Sequence, residues 1–223
     1  MKKIKVLIAC EYSGIIREAF TNKGCEAWSC DLLPTETSGN HIEDDVLKVI
    51  NEGWDLMIAH PPCTYLSYVG TQHWSDIERT KNRIKAANFF MTLYDAKIKY
   101  ICVENPRGIM SKIFRKPDQE IDPFYFGDPF LKRTDLWLKN LPPLKYSLLN
   151  TLFEERTSCE RPKPEVIQIR KKTGKIKNRY WMDNITSPAF KNAKLRSKSF
   201  PAIAKAMADQ WTEYLTNLIE HEK

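Results

Sequence analysis

The stretch Asp55-Leu56-Met57-Ile58-Ala59-His60-Pro61-Pro62-Cys63 constrains this chain most. A short apolar run stops at two prolines, and a cysteine comes next. Proline has no N–H to give a sheet ladder, so a strand has to end there, in a rigid loop that displays one thiol. A second apolar run, Tyr100-Ile101-Cys102-Val103, ends in the same way at Glu104-Asn105-Pro106. In a parallel sheet the carboxyl ends of neighbouring strands open on one crevice, where ligands bind. A thiol and a carboxylate delivered there point to covalent catalysis with an acid partner.

The rest of the first half supplies the alternation such a sheet needs. Lys5 to Cys10 reads as a first buried strand. Ser13-Gly14 then opens a helix with Ile16, Ala19 and Phe20 on its apolar face, and Cys25 to Cys30 reads as a second strand ending at Asp31. Asp45 follows a polar turn and begins Val46 to Ile50. A helix over Asp76 to Leu93 carries Ile84, Ala87, Phe90 and Met91, and leads to the strand before Glu104. Strands alternating with helices predict a parallel α/β sheet. Beyond residue 110 the pattern changes. Phe124 to Pro129 reads as a turn into a further strand, Thr134 to Leu138, closed by Pro142-Pro143. Ser199-Phe200-Pro201 starts a last helix, with Ser as N-cap and Pro in the first turn. Its apolar face is Ile203, Met207, Trp211, Leu215 and Leu218.

With 223 residues, 42% of them hydrophobic, the chain has material for one substantial core. Its formal net charge of +7 favours a polyanionic partner. Part of that charge sits on one predicted hairpin, Val166 to Ile169 and Ile176 to Trp181 around Lys172-Thr173-Gly174-Lys175. Arg170, Lys171, Lys172, Lys175, Lys177 and Arg179, beside Tyr180-Trp181, form a strip suited to phosphates and a stacked base. A solvated charged hairpin is the alternative. The six cysteines include no C-x-x-C pair, so no metal site is expected. Cys10, Cys30 and Cys102 lie in strand-like runs, where cysteine is a small buried hydrophobe. No run is long enough to span a membrane. The opening Met-Lys-Lys-Ile-Lys-Val-Leu-Ile-Ala has an apolar run too short for a signal peptide. With no disulfide framework in view, a reducing cytoplasm is the expected location.

Taken in order, these pieces resemble the cytosine-C5 methyltransferase family. Ala59-His60-Pro61-Pro62-Cys63-Thr64-Tyr65-Leu66-Ser67 is similar to that family's Gly-Gly-Pro-Pro-Cys-Gln-x-Phe-Ser loop, and Glu104-Asn105-Pro106 to its Glu-Asn-Val. Phe126-Gly127-Asp128-Pro129 with Lys132-Arg133-Thr134 resembles Tyr-Gly-Val-Pro-Gln-x-Arg-x-Arg. Phe200 to Ala206 resembles the C-terminal helix that packs back on the cofactor domain. The cofactor end matches less closely: Cys10-Glu11-Tyr12-Ser13-Gly14 stands in place of Phe-x-Gly-x-Gly and keeps only Gly14. Thr64 replaces Gln and Pro106 replaces Val. Between Pro142 and Arg196 there is little room for the large target-recognition domain of restriction-type members, so the chain looks like a compact, phage-type relative.

The resemblance implies a Rossmann-like, S-adenosylmethionine-dependent α/β sheet with helices on both faces and a small irregular insertion. It implies a catalytic and cofactor-binding core over residues 1–142, a small basic, reduced target-recognition region over 143–195, and a C-terminal helix over 196–223. Cys63 falls on the nucleophile, Glu104 on the acid that engages the cytosine edge, and Arg133 on a residue that steadies the base. Glu11, Ser13, Gly14 and Pro61 fall at the cofactor. Asp31 stands where an acid meets the ribose hydroxyls, and Asp45 where one meets the adenine amino group. The implied activity is methylation of cytosine C5 in DNA. Two alternatives stay open: a free pyrimidine nucleotide or RNA as substrate, and a non-catalytic nucleic-acid-binding protein that has kept the fold.

Overall fold

The computed structural model describes residues 3–68, 76–151, 155–164, 166–169, 176–179 and 198–221. Its centre is a sheet of four parallel buried strands with a short fifth at its edge. These are β1 (Lys5–Ala9), β2 (Glu26–Asp31), β3 (His41–Glu43), β4 (Leu56–Ala59) and β5 (Tyr100–Pro106). Two more, β6 (Gln119–Ile121) and β7 (Thr134–Lys139), complete the order β3-β2-β1-β4-β5-β7-β6. The order reverses direction beside β1, which marks a switch point where strand ends form a crevice.

Alternation along the central strands decides which helices cover which face. Val6, Ile8, Leu56, Ile58, Tyr100 and Cys102 point to one side, where α1 (Ile15–Asn22) and the final helix α5 (Pro201–His221) cover them. Leu7, Ala9, Met57, Ala59, Ile101 and Val103 point to the other. There they meet α2 (Val46–Val49), α3 (Ile77–Tyr94) and α4 (Met110–Ile113). Helices thus stand on both faces, as expected of an α/β protein. The predicted apolar face of the last helix is the face it buries: Ile203, Met207, Trp211 and Leu215 are each under a tenth exposed. Trp211 is fully buried, and its indole N–H reaches the Pro142 carbonyl at 3.0 Å.

The sheet is not parallel throughout. β7 runs antiparallel to β5, with Glu104 opposite Leu136 and Asn105 opposite Asp135, and β6 is antiparallel to β7. A parallel return needs a long crossover, usually a helix. β6, antiparallel to β7, therefore runs parallel to β5, and α4 lies in the crossover to it; β7 then comes back antiparallel between the two. A second, two-stranded antiparallel unit pairs β8 (Val166–Ile169) with β9 (Ile176–Arg179), in the hairpin pairing predicted from sequence. Among the described residues no helix is long and apolar enough to cross a membrane.

Candidate active site at the carboxyl ends of the central strands

After β4 the chain passes through Pro61-Pro62 into a single 3-10 turn, Cys63–Tyr65. The Cys63 carbonyl accepts from the N–H groups of Leu66 and Ser67, which closes the turn on itself. The neighbouring strand end then clamps it. Asn105 Nδ2 donates to the Pro61 carbonyl at 2.7 Å, and the Ile109 N–H donates to the Leu66 carbonyl at 2.8 Å. Gly108 makes this approach feasible. A Cβ there would stand 2.2 Å from the Leu66 carbonyl oxygen, a backbone atom that cannot swing aside. Half-buried Cys63 and the Glu104 carboxylate are therefore held on adjacent strand ends by backbone and amide bonds.

Glu104 keeps only 17% of its side-chain surface exposed. Its Oε2 lies 2.8 Å from His60 Nδ1. Burial alone would push this carboxyl up. His60, the Lys132 cation and the Thr134 hydroxyl outweigh burial and hold it below the ordinary carboxylate range. The contact of His60 with Glu104 is one that the sequence pattern passed over. His60 stands where the resembling loop has glycine.

The structure separates Lys132 from Arg133. Consecutive residues of an extended segment point to opposite sides. Lys132 bears on Glu104, and its ammonium lies 5.5 Å from the Phe200 ring. The half-exposed Arg133 guanidinium instead lies 3.5 Å from Glu120 and 3.9 Å from Asp122. Lys132 is thus the cation on the Glu104 side, while Arg133 is engaged with the acids of β6 and the turn after it.

At the end of β1, Cys10 adopts a left-handed backbone, φ 59°. Burial first, then the charges of Asp31, Cys30 and Asp45, push its thiol up to about 12, which disfavours the thiolate. The same fact places both acids around this strand end. Asp31 Oδ1 accepts the Leu33 N–H at 3.0 Å, and Asp45 caps α2 through the Leu47 N–H at 3.0 Å. Glu11 is buried and fully used. Its Oε1 accepts from Ser13 Oγ and the Ile16 N–H, and its Oε2 from the Arg17 N–H. The start of α1, an obvious place for an external anion, is thus capped by the chain's own carboxylate. Gly14, φ 74°, is required at this turn: a Cβ would meet Thr37 Oγ1 at 2.2 Å. The fully buried Arg17 side chain reaches over it to Ser29 Oγ and to Thr37 and Ser38, pinning the loop after β2. Pro61 is buried under the Cys63 turn.

These residues fit S-adenosylmethionine in part. Asp31 is half-exposed at the end of β2 and suits hydroxyls, and Asp45 is exposed at the start of α2. The N–H groups at the start of α1 do not fit, because Glu11 already occupies them. Of the basic hairpin, Arg170, Lys171, Lys172 and Lys175 lie outside the described residues. Lys177 and Arg179 lie on β9. A surface hollow lined by Ile50, Met91, Ala96 and Lys97 lies at the opposite, amino-terminal end of the sheet and holds none of these groups.

Strand order and strand ends that open on one crevice define the class: an α/β protein with a Rossmann-like sheet. No protein-family model matches the chain, and no curated protein matches it. Among solved structures it is similar to the Entamoeba histolytica methyltransferase EhMeth, at 14% identity and a TM-score of 0.44, over 73% of this chain and 59% of that one. The chain thus spans less than two thirds of that protein's length. A likeness this distant assigns no activity, and the fold class rests on the strand order itself.

Proposed function

We propose that this chain is a methyltransferase acting on C5 of cytosine in DNA, through a covalent adduct on Cys63. The observation that carries the reading is the clamp. A thiol-bearing turn and a buried carboxylate stand on adjacent strand ends, joined by the Asn105–Pro61 and Ile109–Leu66 bonds. Simple binding needs neither group. Cytosine C5 is a poor nucleophile on its own. Bond formation between Cys63 Sγ and C6 moves the C5–C6 π pair toward C4, and N3 then takes a proton that Glu104 relays from solvent. Lys132 stabilises the carboxylate that remains. Bound S-adenosylmethionine supplies the methyl group that C5 receives. To reach Cys63, a base in a duplex has to leave the stack.

The deciding experiment is incubation with methyl-labelled S-adenosylmethionine and separate pools of DNA, RNA and pyrimidine nucleotides. Label in C5 of DNA cytosine supports the reading. Label only in RNA or in nucleotides replaces the substrate, and no label in any pool removes the enzyme.

Two further outcomes follow from the same reading. Asp31→Ala is expected to weaken S-adenosylmethionine by about 1.5 to 3 kcal/mol, the worth of a charge-assisted hydrogen bond, in titration calorimetry. Unchanged affinity would place the ribose elsewhere. Neutralising Lys171, Lys172 and Lys175 together is expected to weaken duplex binding for every sequence. It should also flatten the salt dependence by roughly 0.9 log unit per lost phosphate contact. Turnover on a mononucleotide should not change, because one nucleotide cannot span the hairpin. The same salt slope in the triple variant would make the hairpin a solvated surface.

A further inference from the structure

His60 is outside the chemistry assigned so far, yet it makes a short polar contact to the proposed acid. Its ring is largely buried, with 13% of the side chain exposed, and Nδ1 lies 2.8 Å from Glu104 Oε2. A carboxylate accepts and does not donate, so Nδ1 carries the hydrogen in this contact. The other ring nitrogen, Nε2, is buried and has no hydrogen-bond partner among the described residues. The ring is therefore turned toward Glu104 by the one bond it makes there. The strands on which the pair stands are themselves hydrogen-bonded, Ala59 opposite Val103, so the contact does not depend on a mobile element.

We propose that His60 is the positioning residue for Glu104: its Nδ1–H anchors Oε2, turns the other oxygen toward the base, and strengthens its hold as Glu104 gives up its proton. This deepens the cytosine reading and rests on it. In the step concerned, Glu104, a carboxylate at rest, takes up a proton from solvent as the base binds. The Oε1–H bond breaks as the N3–H bond forms, and the electron pair released stays on Glu104 as carboxylate. A hydrogen bond to a neutral carboxyl becomes a charge-assisted bond to a carboxylate, which is stronger, so His60 favours the product side of the proton transfer. The groups that face this pair from other elements are Lys132, from the segment before β7, and Thr134 on β7. Buried Cys102 and Asp135 feel the Glu104 charge, and Cys63 follows His60 by three residues on the same loop.

The test compares His60→Ala and His60→Asn, alone and combined with Glu104→Gln. The Asn side chain can place an N–H close to the position of Nδ1. The readouts are methyl transfer to duplex DNA across pH and release of tritium from C5 of cytosine. Removing a hydrogen bond to a charged group should lower turnover in the alanine variant roughly 10- to 100-fold. The asparagine variant should recover most of that loss. In the Glu104→Gln background the alanine change should cost nothing further, because His60 acts only through Glu104. With His60 gone, burial is less opposed, so the Glu104 limb of the pH profile should move to higher pH in the alanine variant and less in the asparagine variant. Circular dichroism and duplex affinity check that the variants fold. An unmoved limb, or a full alanine loss on top of Glu104→Gln, would overturn the assignment while leaving a working cytosine enzyme. A parent inactive in both assays would instead sink the reading on which it rests.

Discussion

Cys63→Ser is expected to lower methyl transfer by about three orders of magnitude or more, to background, with folding and cofactor affinity nearly intact. The hydroxyl of serine is far less nucleophilic at neutral pH than a thiolate. Geometry makes the comparison clean. The 3-10 turn at Cys63–Tyr65 is closed by backbone bonds to the Cys63 carbonyl, and its clamp uses the Pro61 and Leu66 carbonyls. Serine leaves that framework in place. A duplex carrying fluorine at C5 of the target cytosine gives the complementary result. Once sulfur has added to C6 and the methyl group to C5, no proton is left to eliminate, so the adduct stays on Cys63. Mass spectrometry of the trapped complex should place the added mass on the peptide that contains Cys63. Substantial turnover in the serine variant, or no adduct with an active parent, would take Cys63 out of the mechanism.

The sequence made some parts of this protein far easier to read than others. β1, β2, β4 and β5 were legible because each is a short apolar run bounded by a charge, a glycine or a proline. Their helices were legible from apolar spacing; Asp76, the first residue of the predicted span, proves to cap α3, its carboxylate accepting the Arg79 N–H at 3.0 Å. Pro-Pro-Cys and Glu-Asn marked the strand ends that the structure brings together. β3 and β6 escaped because each has three residues and they hold edges of the sheet, where burial imposes little pattern. The antiparallel course of β7 escaped because alternation speaks for a parallel sheet and says nothing of a strand that comes back between two parallel neighbours. At the site the misses share one cause: a side chain's partner lies in another segment. His60 meets Glu104 across two strands, Lys132 rather than Arg133 bears on it because of the local pleat, and Glu11 caps α1. None of these pairings leaves a local trace in the sequence.

Asp135→Asn is expected to stabilise the fold at pH 7.5 and to do nothing of the kind at pH 4. Asp135 sits on β7 with 1% of its surface exposed, between Asn105 and Glu120 on the flanking strands. Its Oδ1 has no hydrogen-bond partner among the described residues, and neither has the Oδ1 of Asn105 opposite it. Burial first, then the charges of Glu120 and Glu104, push its carboxyl up to about 6, against the opposing pull of Arg107 and Arg133. A carboxyl raised on folding is one the folded state holds protonated more tightly than the unfolded state does. Its contribution is therefore fully present below the ordinary carboxylate range, is lost as pH rises through about 6, and stays lost above that. The loss is on the order of 2 to 3 kcal/mol. Asparagine removes the buried charge, and its amide offers Asn105 Oδ1 a donor that ionised Asp135 cannot. Urea or thermal unfolding at the two pH values measures the effect, and a gain of this size should raise the midpoint at pH 7.5 by roughly 4 to 12 °C. A variant less stable than the parent at pH 7.5 would mean that Arg107 and Arg133 hold Asp135 as a stabilising carboxylate, so that its burial is offset within the folded protein.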